Sequence, residues 1–221
     1  MPIFVSFPAD SPLSVLDGPA ARGADALVLS TAGGIESVCA ILSSSPHAAR
    51  KVPLHVIVSP FSSGRTGDEL CALMPLQPDA IHLRACETSA DVQKLDVLMS
   101  VHEAECGWQP PPIPIFAEFG ATASAVLAPG SYKNGSRRLA GLIWNPGALL
   151  DHVGVSATPD DGAANDLARF GRSMVLLKAR EAEVPALLAV SGAQDRGTSL
   201  RQAKAEGFSG IVTAGRVPAE R

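Results

Sequence analysis

The sequence predicts a compact (β/α)8 barrel, a closed ring of eight parallel strands surrounded by helices. Eight short apolar runs are spread along the chain, and amphipathic or alanine-rich stretches separate most of them. The length of 221 residues lies near the lower end of the ~200–400 residues usual for this fold. Hydrophobic residues make up 46% and charged residues 18%, enough to form a core beneath a modest polar surface. We therefore expect one compact domain over residues 1–221.

The apolar runs are predicted to be parallel strands covered on both faces. They are apolar almost throughout rather than alternating, which is typical of strands buried between two layers. The eight strands are expected at Ile3–Phe7, Ala26–Ser30, Leu54–Ser59, Ala80–Arg84, Pro114–Phe119, Leu139–Trp144, Pro185–Val190 and Gly210–Ala214.

Helices are predicted in the stretches between the strands. Thr88 and Ser89 are suited to cap the helix that follows them, and Thr198 is suited to cap the last one. Gly23 and Gly207 stand where left-handed residues end helices. The expected helices are Pro12–Arg22, Ile35–Leu42, Thr66–Met74, Ser89–Cys106, Thr122–Ala128, Gly162–Ala182 and Ser199–Glu206.

An open doubly wound sheet is the alternative fold. It would be favoured by a phosphate-binding or dinucleotide-binding glycine motif after a strand, and none is present in the sequence. A net charge of -4 without a basic cluster argues against a nucleic-acid-binding protein. No apolar run approaches the ~20 residues needed to span a bilayer, and the first residues lack a signal-peptide pattern. We expect a cytoplasmic protein that binds neither nucleic acid nor membranes.

The cysteines and histidines do not predict a zinc site. The four cysteines, Cys39, Cys71, Cys86 and Cys106, form no C-x-x-C pair, and none of the five histidines has zinc-ligand spacing from them. We interpret the cysteines as buried structural thiols in a reducing compartment. The histidines are expected at the surface or behind other functional groups.

The barrel prediction selects candidate site residues, because active sites of such barrels lie at the C-terminal ends of the strands. The selected charges include no lysine and no histidine, which disfavours a Schiff-base aldolase. Arg84 is the candidate for binding a carboxylate, since a guanidinium pairs with planar anions. The other candidate substrate-binding residues are Asp10, Ser59, Trp144 and Asn145.

Glu118 has two interpretations. It lies within the apolar run Ile-Phe-Ala-Glu-Phe-Gly, where an uncompensated carboxylate would be strongly destabilising. At the barrel mouth it could bind a metal ion or a cationic group, or act as an acid or base. It could instead form a structural ion pair with Arg84. The sequence leaves both interpretations open.

Six ordered segments carry a resemblance to a known family. They are Phe4–Pro12 (FVSFPADSP), Arg22–Leu29 (RGADALVL), Ala80–Val92, Ile115–Ala125, Leu139–Gly154 (LAGLIWNPGALLDHVG) and Phe170–Pro185. In this order they resemble the citrate lyase beta-subunit and HpcH/HpaI aldolase family. The resemblance implies a (β/α)8 barrel that makes or breaks carbon–carbon bonds in oxo- or hydroxy-acids or their CoA thioesters. It also implies Mg²⁺ or another divalent ion as cofactor, and assembly into trimers or hexamers. Compared with members of this family, the expected barrel has a shortened C-terminus.

Most catalytic positions implied by the resemblance carry other residues. Glu118 matches the metal-binding glutamate, but the partner aspartate position holds Ala148, and Asp151 is the nearest acid. The strand-three arginine position holds Ile57, and the position of the lysine after strand four holds Ala85. The acidic pair after strand two falls on Ala32 and Gly33, Gly147 precedes Ala148, and the late histidine position falls on Thr213 or Ala214.

Two functions follow as alternatives. The first is a carbon–carbon lyase in which Glu118 holds a metal ion and Arg84 binds a small carboxylic acid or its CoA thioester. The second is a non-catalytic paralogue that serves as a binding or interaction subunit. In either case we expect a homo-oligomer, since Ala121–Ala128 and Met174–Ala182 offer apolar surface.

Overall fold

The computed structural model describes residues 1–8, 22–108, 112–155, 162–190 and 195–215. Eight strands form a closed barrel in chain order, and each pairs in parallel with the next, β8 closing on β1. The predicted (β/α)8 fold is therefore confirmed. The strands are β1 Ile3–Phe7, β2 Ala26–Ser30, β3 Leu54–Val58, β4 Ala80–Cys86, β5 Ile115–Phe119, β6 Leu139–Trp144, β7 Ala186–Val190 and β8 Gly210–Ala214.

Seven helices of the described residues lie between the strands. They are α1 Ile35–Ser44, α2 Thr66–Leu73, α3 Ser89–Glu105, α4 Ala123–Leu127, α5 Pro146–Val153, α6 Gly162–Glu181 and α7 Arg196–Ala205. The predicted helix Pro12–Arg22 lies outside the described residues except for its last one. Helix α5 was absent from the sequence prediction. It begins at Asn145, whose side chain accepts a hydrogen bond from the Ala148 N–H, with Pro146 at the first helical position.

The helix ends confirm the predicted caps at Thr88 and Gly207 and correct the one at Thr198, whereas the helix that Gly23 was expected to end lies outside the described residues. Thr88 caps α3 in a reciprocal capping box with Asp91. Gly23 and Gly207 have φ values of 73° and 96°. The prediction for Thr198 is wrong, because Asp195 caps α7 by accepting a hydrogen bond from the Thr198 N–H at 3.0 Å. A carboxylate at this position also interacts favourably with the positive end of the helix.

The strand register divides the buried residues between two layers. Side chains of alternate residues point into the barrel, where Phe4, Val28, Phe116, Leu187 and Val212 pack together. The intervening residues point outwards and pack beneath the helices in a larger cluster. On β4 and β5 this alternation sends residues 82, 84, 116 and 118 inwards, because His82 lies beside Phe116 in the register.

The thiols differ from the sequence prediction. All four cysteines are free, but only Cys86 is buried, whereas Cys71 and Cys106 are exposed and Cys39 is half-buried. Burial raises the pKa of Cys86 to about 12, which makes it an unreactive core residue. Cys71 lies on α2 and Cys106 directly follows α3, and both are in contact with water. No described helix is long and apolar enough to cross a membrane.

Gly171 lets α6 approach the barrel wall. A Cβ built at this position would lie 2.2 Å from Cη2 of Trp144, a ring that is buried on the outer side of β6. Trp144 cannot retreat, because a Cβ on Gly120 would also meet its ring, at 2.9 Å. The absence of a side chain at Gly171 therefore sets the distance between α6 and the sheet.

We expect Gly171→Ala to destabilise the protein, although alanine favours helices. Overpacking against Trp144 costs ~1–3 kcal/mol, which corresponds to a melting temperature lowered by ~2–4 °C per kcal/mol in a domain of this size. Gly67→Ala in α2 is the matched control, since nothing lies within 4 Å of the place that its Cβ would occupy. That change should leave the melting temperature equal or raise it. Equal melting temperatures for wild type and Gly171→Ala would contradict this account.

Candidate functional site

A cavity of about 780 Å³ opens at the C-terminal ends of the strands, the end where barrel enzymes carry their active sites. We call it the mouth cavity. Its polar lining comes from β1, β4, β5 and β8 and from the segments after β5 and β6. Residues that line it include Ser6, Ile57, His82, Arg84, Ala85, Glu118, Thr122, Ile143, Asn145, Ala148, Asp151 and Val212.

Arg84 is the one lysine or arginine among the described residues that line the mouth cavity. Its Nη2 donates a hydrogen bond to Ser30 Oγ at 3.3 Å, and the side chain is half-buried. Within the described part of the chain, no ion pair joins Arg84 to Glu118 or to any other carboxylate. The guanidinium therefore faces the cavity with most of its donors unused.

Glu118 is held by neutral donors and not by Arg84, so the second interpretation of this residue, a structural ion pair with Arg84, is wrong. Oε2 accepts a hydrogen bond from the Ala85 N–H at 3.1 Å, and Oε1 accepts one from Asn145 Nδ2 at 2.8 Å. Hydrogen bonds from N–H groups stabilise a charged carboxylate without neutralising it. The described lining of the mouth cavity thus contains one guanidinium, Arg84, and two carboxylates, Glu118 and Asp151, neither of which pairs with it.

An irregularity in β4 aims one of these donors. The register between β4 and β5 shifts between Leu83 and Cys86, and Ala85 within this bulge has a φ of 43°. A left-handed conformation is strained for alanine, and such strain is typical of functional sites. The bulge turns the Ala85 N–H away from the strand ladder and towards Glu118. The backbone donor thus lies where the resemblance places a lysine.

The structure brings only some of the predicted site residues together. Arg84, Asn145 and Glu118 line the mouth cavity, whereas Ser59 and Trp144 lie elsewhere. Ser59 is buried in a cluster with Glu69 of α2, whose Oε1 and Oε2 accept hydrogen bonds from its hydroxyl and N–H, each at 2.7 Å. Trp144 points out of the barrel and packs under α6 because it alternates with the inward-facing Ile143. Asp10 lies outside the described residues.

Two histidines that the sequence analysis placed elsewhere are buried in the barrel. His55 of β3 and His82 of β4 are 7% and 3% exposed, and His55 Nδ1 lies 3.0 Å from His82 Nε2. His82 also lines the mouth cavity, so the expectation that no histidine reaches the mouth is wrong. Their burial could have been predicted from the sequence, because both histidines lie in apolar strands at positions whose side chains point inwards. We call these two residues the histidine pair.

A second cavity, of about 480 Å³, lies beside the opposite ends of β4, β5 and β6. Its lining includes Asp79, Glu103 and Arg138, and these charges are already paired. Arg138 Nη1 donates to Glu103 at 2.7 Å, and Arg50 Nη1 donates to Asp79 at 2.8 Å. Charges satisfied at the N-terminal face of a barrel contribute to stability rather than catalysis. The mouth cavity is therefore the candidate site.

Several solved structures are similar to this chain in fold. A citrate lyase beta subunit from Mycobacterium tuberculosis, solved with oxaloacetate and magnesium, has a TM-score of 0.73 and 23% identity over 96% of this chain and 91% of its own. A citrate lyase from Burkholderia xenovorans has a TM-score of 0.76 and 14% identity over 99% and 74%. An HpcH/HpaI aldolase from Desulfitobacterium hafniense has a TM-score of 0.73 and 11% identity over 98% and 87%.

This chain has the citrate lyase beta-subunit fold. The structural matches agree with the resemblance found in the sequence motifs, and at these identities they show the fold. No protein-family model and no curated protein matches the sequence. The chemistry of this citrate lyase-like barrel must therefore be argued from its own mouth residues.

The described mouth residues form no complete magnesium site, although the carboxylates of Glu118 and Asp151 both line the cavity. Mg²⁺ prefers six oxygen ligands in octahedral geometry and is usually bound by one or two carboxylates together with substrate and water. Both oxygens of Glu118 already accept hydrogen bonds, and Ala148 occupies the partner position. Over the described ranges, no group of three His, Cys, Asp or Glu residues could hold a metal ion.

The histidine pair should make stability depend on pH. Burial lowers the pKa of His55 to about 4, although Asp79 opposes this shift, and burial lowers the pKa of His82 well below its usual value. The folded state then binds fewer protons than the unfolded state, whose imidazoles titrate near 6.5. The free energy of unfolding should thus be highest above pH ~7 and fall by about 3 kcal/mol through His55 as pH drops from 6.5 to 4.

Urea unfolding between pH 7.5 and pH 4.5 measures this dependence. The double variant His55→Leu/His82→Leu should show a smaller loss of stability with falling pH, because no buried imidazole remains to be protonated. His152→Gln, at an exposed site on α5, is the control and should keep the wild-type slope. If the double variant also keeps that slope, the histidine pair is not its cause.

Proposed function

We propose that this chain belongs to the citrate lyase beta-subunit and HpcH/HpaI group and that its mouth cavity binds a small carboxylic acid. The observation that carries the proposal is the unpaired guanidinium of Arg84, the one cation in the described lining of an open cavity. Arg84 supplies the carboxylate-binding group, since a guanidinium binds a planar anion through two parallel hydrogen bonds. The ligands of the neighbours, oxaloacetate, acetate and pyruvate, support this ligand class.

The size of the cavity extends the range of acids that fit. Ligand pockets are typically ~300–1,000 Å³, and the mouth cavity falls within this range. It has room for an acid much larger than pyruvate, which keeps a CoA thioester among the candidate ligands. Glu118 disfavours a second negative group near its own oxygens, because two carboxylates in one site repel each other. The preferred ligand therefore presents one carboxylate to Arg84 and a neutral group towards Glu118.

Carbon–carbon lyase activity is the second candidate function, and Glu118 is the observation that favours it. A carboxylate that lines the same cavity as Arg84 can act as a base on a bound acid. The missing partner aspartate at Ala148 argues against a magnesium-dependent route of the kind the resemblance implies. We therefore propose ligand binding as the retained property. Lyase activity is tested separately, by following the loss of oxaloacetate in the presence and absence of Mg²⁺ or Mn²⁺.

Arg84→Met should weaken pyruvate binding by at least tenfold in isothermal titration calorimetry. The change removes the cation and keeps most of the side-chain volume, and hydrogen bonds to charged groups contribute ~1.5–3 kcal/mol each. Arg169→Met, at an exposed site on α6, is the control and should bind pyruvate like the wild type. Wild-type protein that binds neither pyruvate nor oxaloacetate, with or without Mg²⁺, would refute the proposal.

We also propose that the chain forms a homo-oligomer through α6. Leu167, Phe170 and Leu177 of α6 are 38%, 51% and 67% exposed, and their spacing of three and seven residues places them on one face. Leu127, 71% exposed, is near the end of this face, because Lys178 Nζ donates to the neighbouring Ala128 carbonyl at 3.2 Å. Contiguous exposed apolar residues mark association surfaces.

Size-exclusion chromatography with light scattering tests the assembly. We expect a mass that is a multiple of 22.8 kDa at micromolar concentration, and the trimer or hexamer implied by the resemblance is the specific expectation. Leu177→Asp should reduce the mass towards one chain, because burial of an unpaired carboxylate destabilises an apolar interface. Val97→Asp, at a similarly exposed site on α3, should not. A wild-type mass of one chain across a tenfold dilution would contradict the proposal.

A further inference from the structure

The interior of the barrel contains an imidazole layer in place of the usual aliphatic packing. Such interiors are filled by layers of Val, Ile and Leu. Here the histidine pair packs between Phe4, 5.0 Å from His55, and Phe116, 4.9 Å from His82, as measured between ring centroids. Polar groups in this position are destabilising unless they form hydrogen bonds. The hydrogen bond between the two imidazoles satisfies one nitrogen of each ring.

The register places the two imidazoles at different depths. His55 lies beside Ala80 and His82 lies beside Ile57, so His82 is two residues closer to the mouth. Residues 82 and 84 face the interior from the same strand, with Cα atoms ~6.6 Å apart. His82, together with Ile57, Ile143 and Val212, therefore lies beneath Arg84 at the floor of the mouth cavity.

One nitrogen of His82 is left for a ligand. Nε2 contacts His55, whereas Nδ1 makes no hydrogen bond to any described residue. Nδ1 is not fully enclosed by protein. Among the described residues, Ser199 Oγ is the one fully buried side-chain polar atom without a hydrogen-bond partner, so Nδ1 is not such an atom. Burial lowers the pKa of His82, so the imidazole is neutral at pH 7. A neutral imidazole can donate to, or accept from, an uncharged oxygen group.

We propose that His82 determines specificity in the mouth cavity, where its Nδ1 forms a hydrogen bond with the oxo or hydroxyl oxygen of a 2-oxo or 2-hydroxy acid. This inference rests on the proposed function, in which Arg84 holds the carboxylate of the same acid. Arg84 and His82 line the same cavity from successive inward-facing positions of β4, so the carboxylate and a neighbouring oxygen group of one small acid can contact both. His55 is a positioning residue that holds the ring of His82 through Nε2.

Pyruvate and propionate test this inference, because both are three-carbon monocarboxylates and only pyruvate carries the oxo oxygen. Titration calorimetry should show that the wild-type protein binds pyruvate about tenfold more tightly than propionate. His82→Phe should lose this preference by binding pyruvate about tenfold more weakly and propionate almost unchanged. Ile143→Val, also at the cavity floor, is the control and should affect both acids equally.

The outcomes separate this inference from the proposed function. Equal affinity of the wild type for the two acids, or a preference for pyruvate that survives in His82→Phe, would overturn the role of His82 and leave carboxylate binding by Arg84 intact. Failure to bind either acid would overturn both proposals.

Nuclear magnetic resonance of the wild-type protein supplies a test that does not depend on the folding of a variant. With ¹⁵N-labelled histidine, saturation with pyruvate should shift the Nδ1 resonance of His82, and saturation with propionate should shift it less. Loss of the shift in Arg84→Met at the same pyruvate concentration would agree with the shared ligand. An unchanged His82 signal at saturating pyruvate would overturn the inference.

Discussion

Closure of the eight-stranded barrel is the constraint on which the mouth depends. Because every strand is paired on both sides, each residue must point either into the barrel or towards the helices, and a shift by one residue would exchange the two sets. This alternation stacks Arg84 above His82 on β4 and Glu118 above Phe116 on β5. The same alternation sends Trp144 outwards and Asn145 inwards. Thus the strand register determines which side chains reach the mouth cavity.

Glu118 couples three elements that are separate in sequence. Its oxygens accept hydrogen bonds from the bulged Ala85 of β4 and from Asn145, while Asn145 Oδ1 accepts the Ala148 N–H and so caps α5. The strain at Ala85 and the start of α5 are therefore both connected to the position of one carboxylate. An ion pair with Arg84 would have neutralised both partners and left no cation of the described lining free for an anion. Backbone and amide donors satisfy the carboxylate and leave the guanidinium available for an anion.

The fold could be predicted from the sequence more completely than the site. Strand bounds at positions such as Leu139–Trp144 follow from apolar runs, because burial on both faces is a property of the whole segment. Side-chain partners depend on register and on bulges, which local patterns do not contain. The interpretation of Arg84 and Glu118 as an ion pair was therefore wrong, whereas both residues do line the mouth cavity as expected. Helix α5 is predictable from the sequence, because Asn145 followed by Pro146 is a typical helix start.

His82 at the floor of the mouth cavity and Arg84 above it suit the same kind of ligand. A magnesium-binding mouth concentrates carboxylates, and the cation then neutralises them together with the substrate. In this chain the partner position holds Ala148, the floor carries a neutral imidazole, and the positive charge is a fixed guanidinium in place of a mobile ion. A fixed cation above a neutral hydrogen-bonding group suits an acid with an uncharged oxygen near its carboxylate. A second carboxylate on the ligand would face Glu118 and find no further cation in the described lining to pair with. Under the proposed function, recognition of the acid would therefore be carried by the barrel's own side chains and not by a bound metal ion.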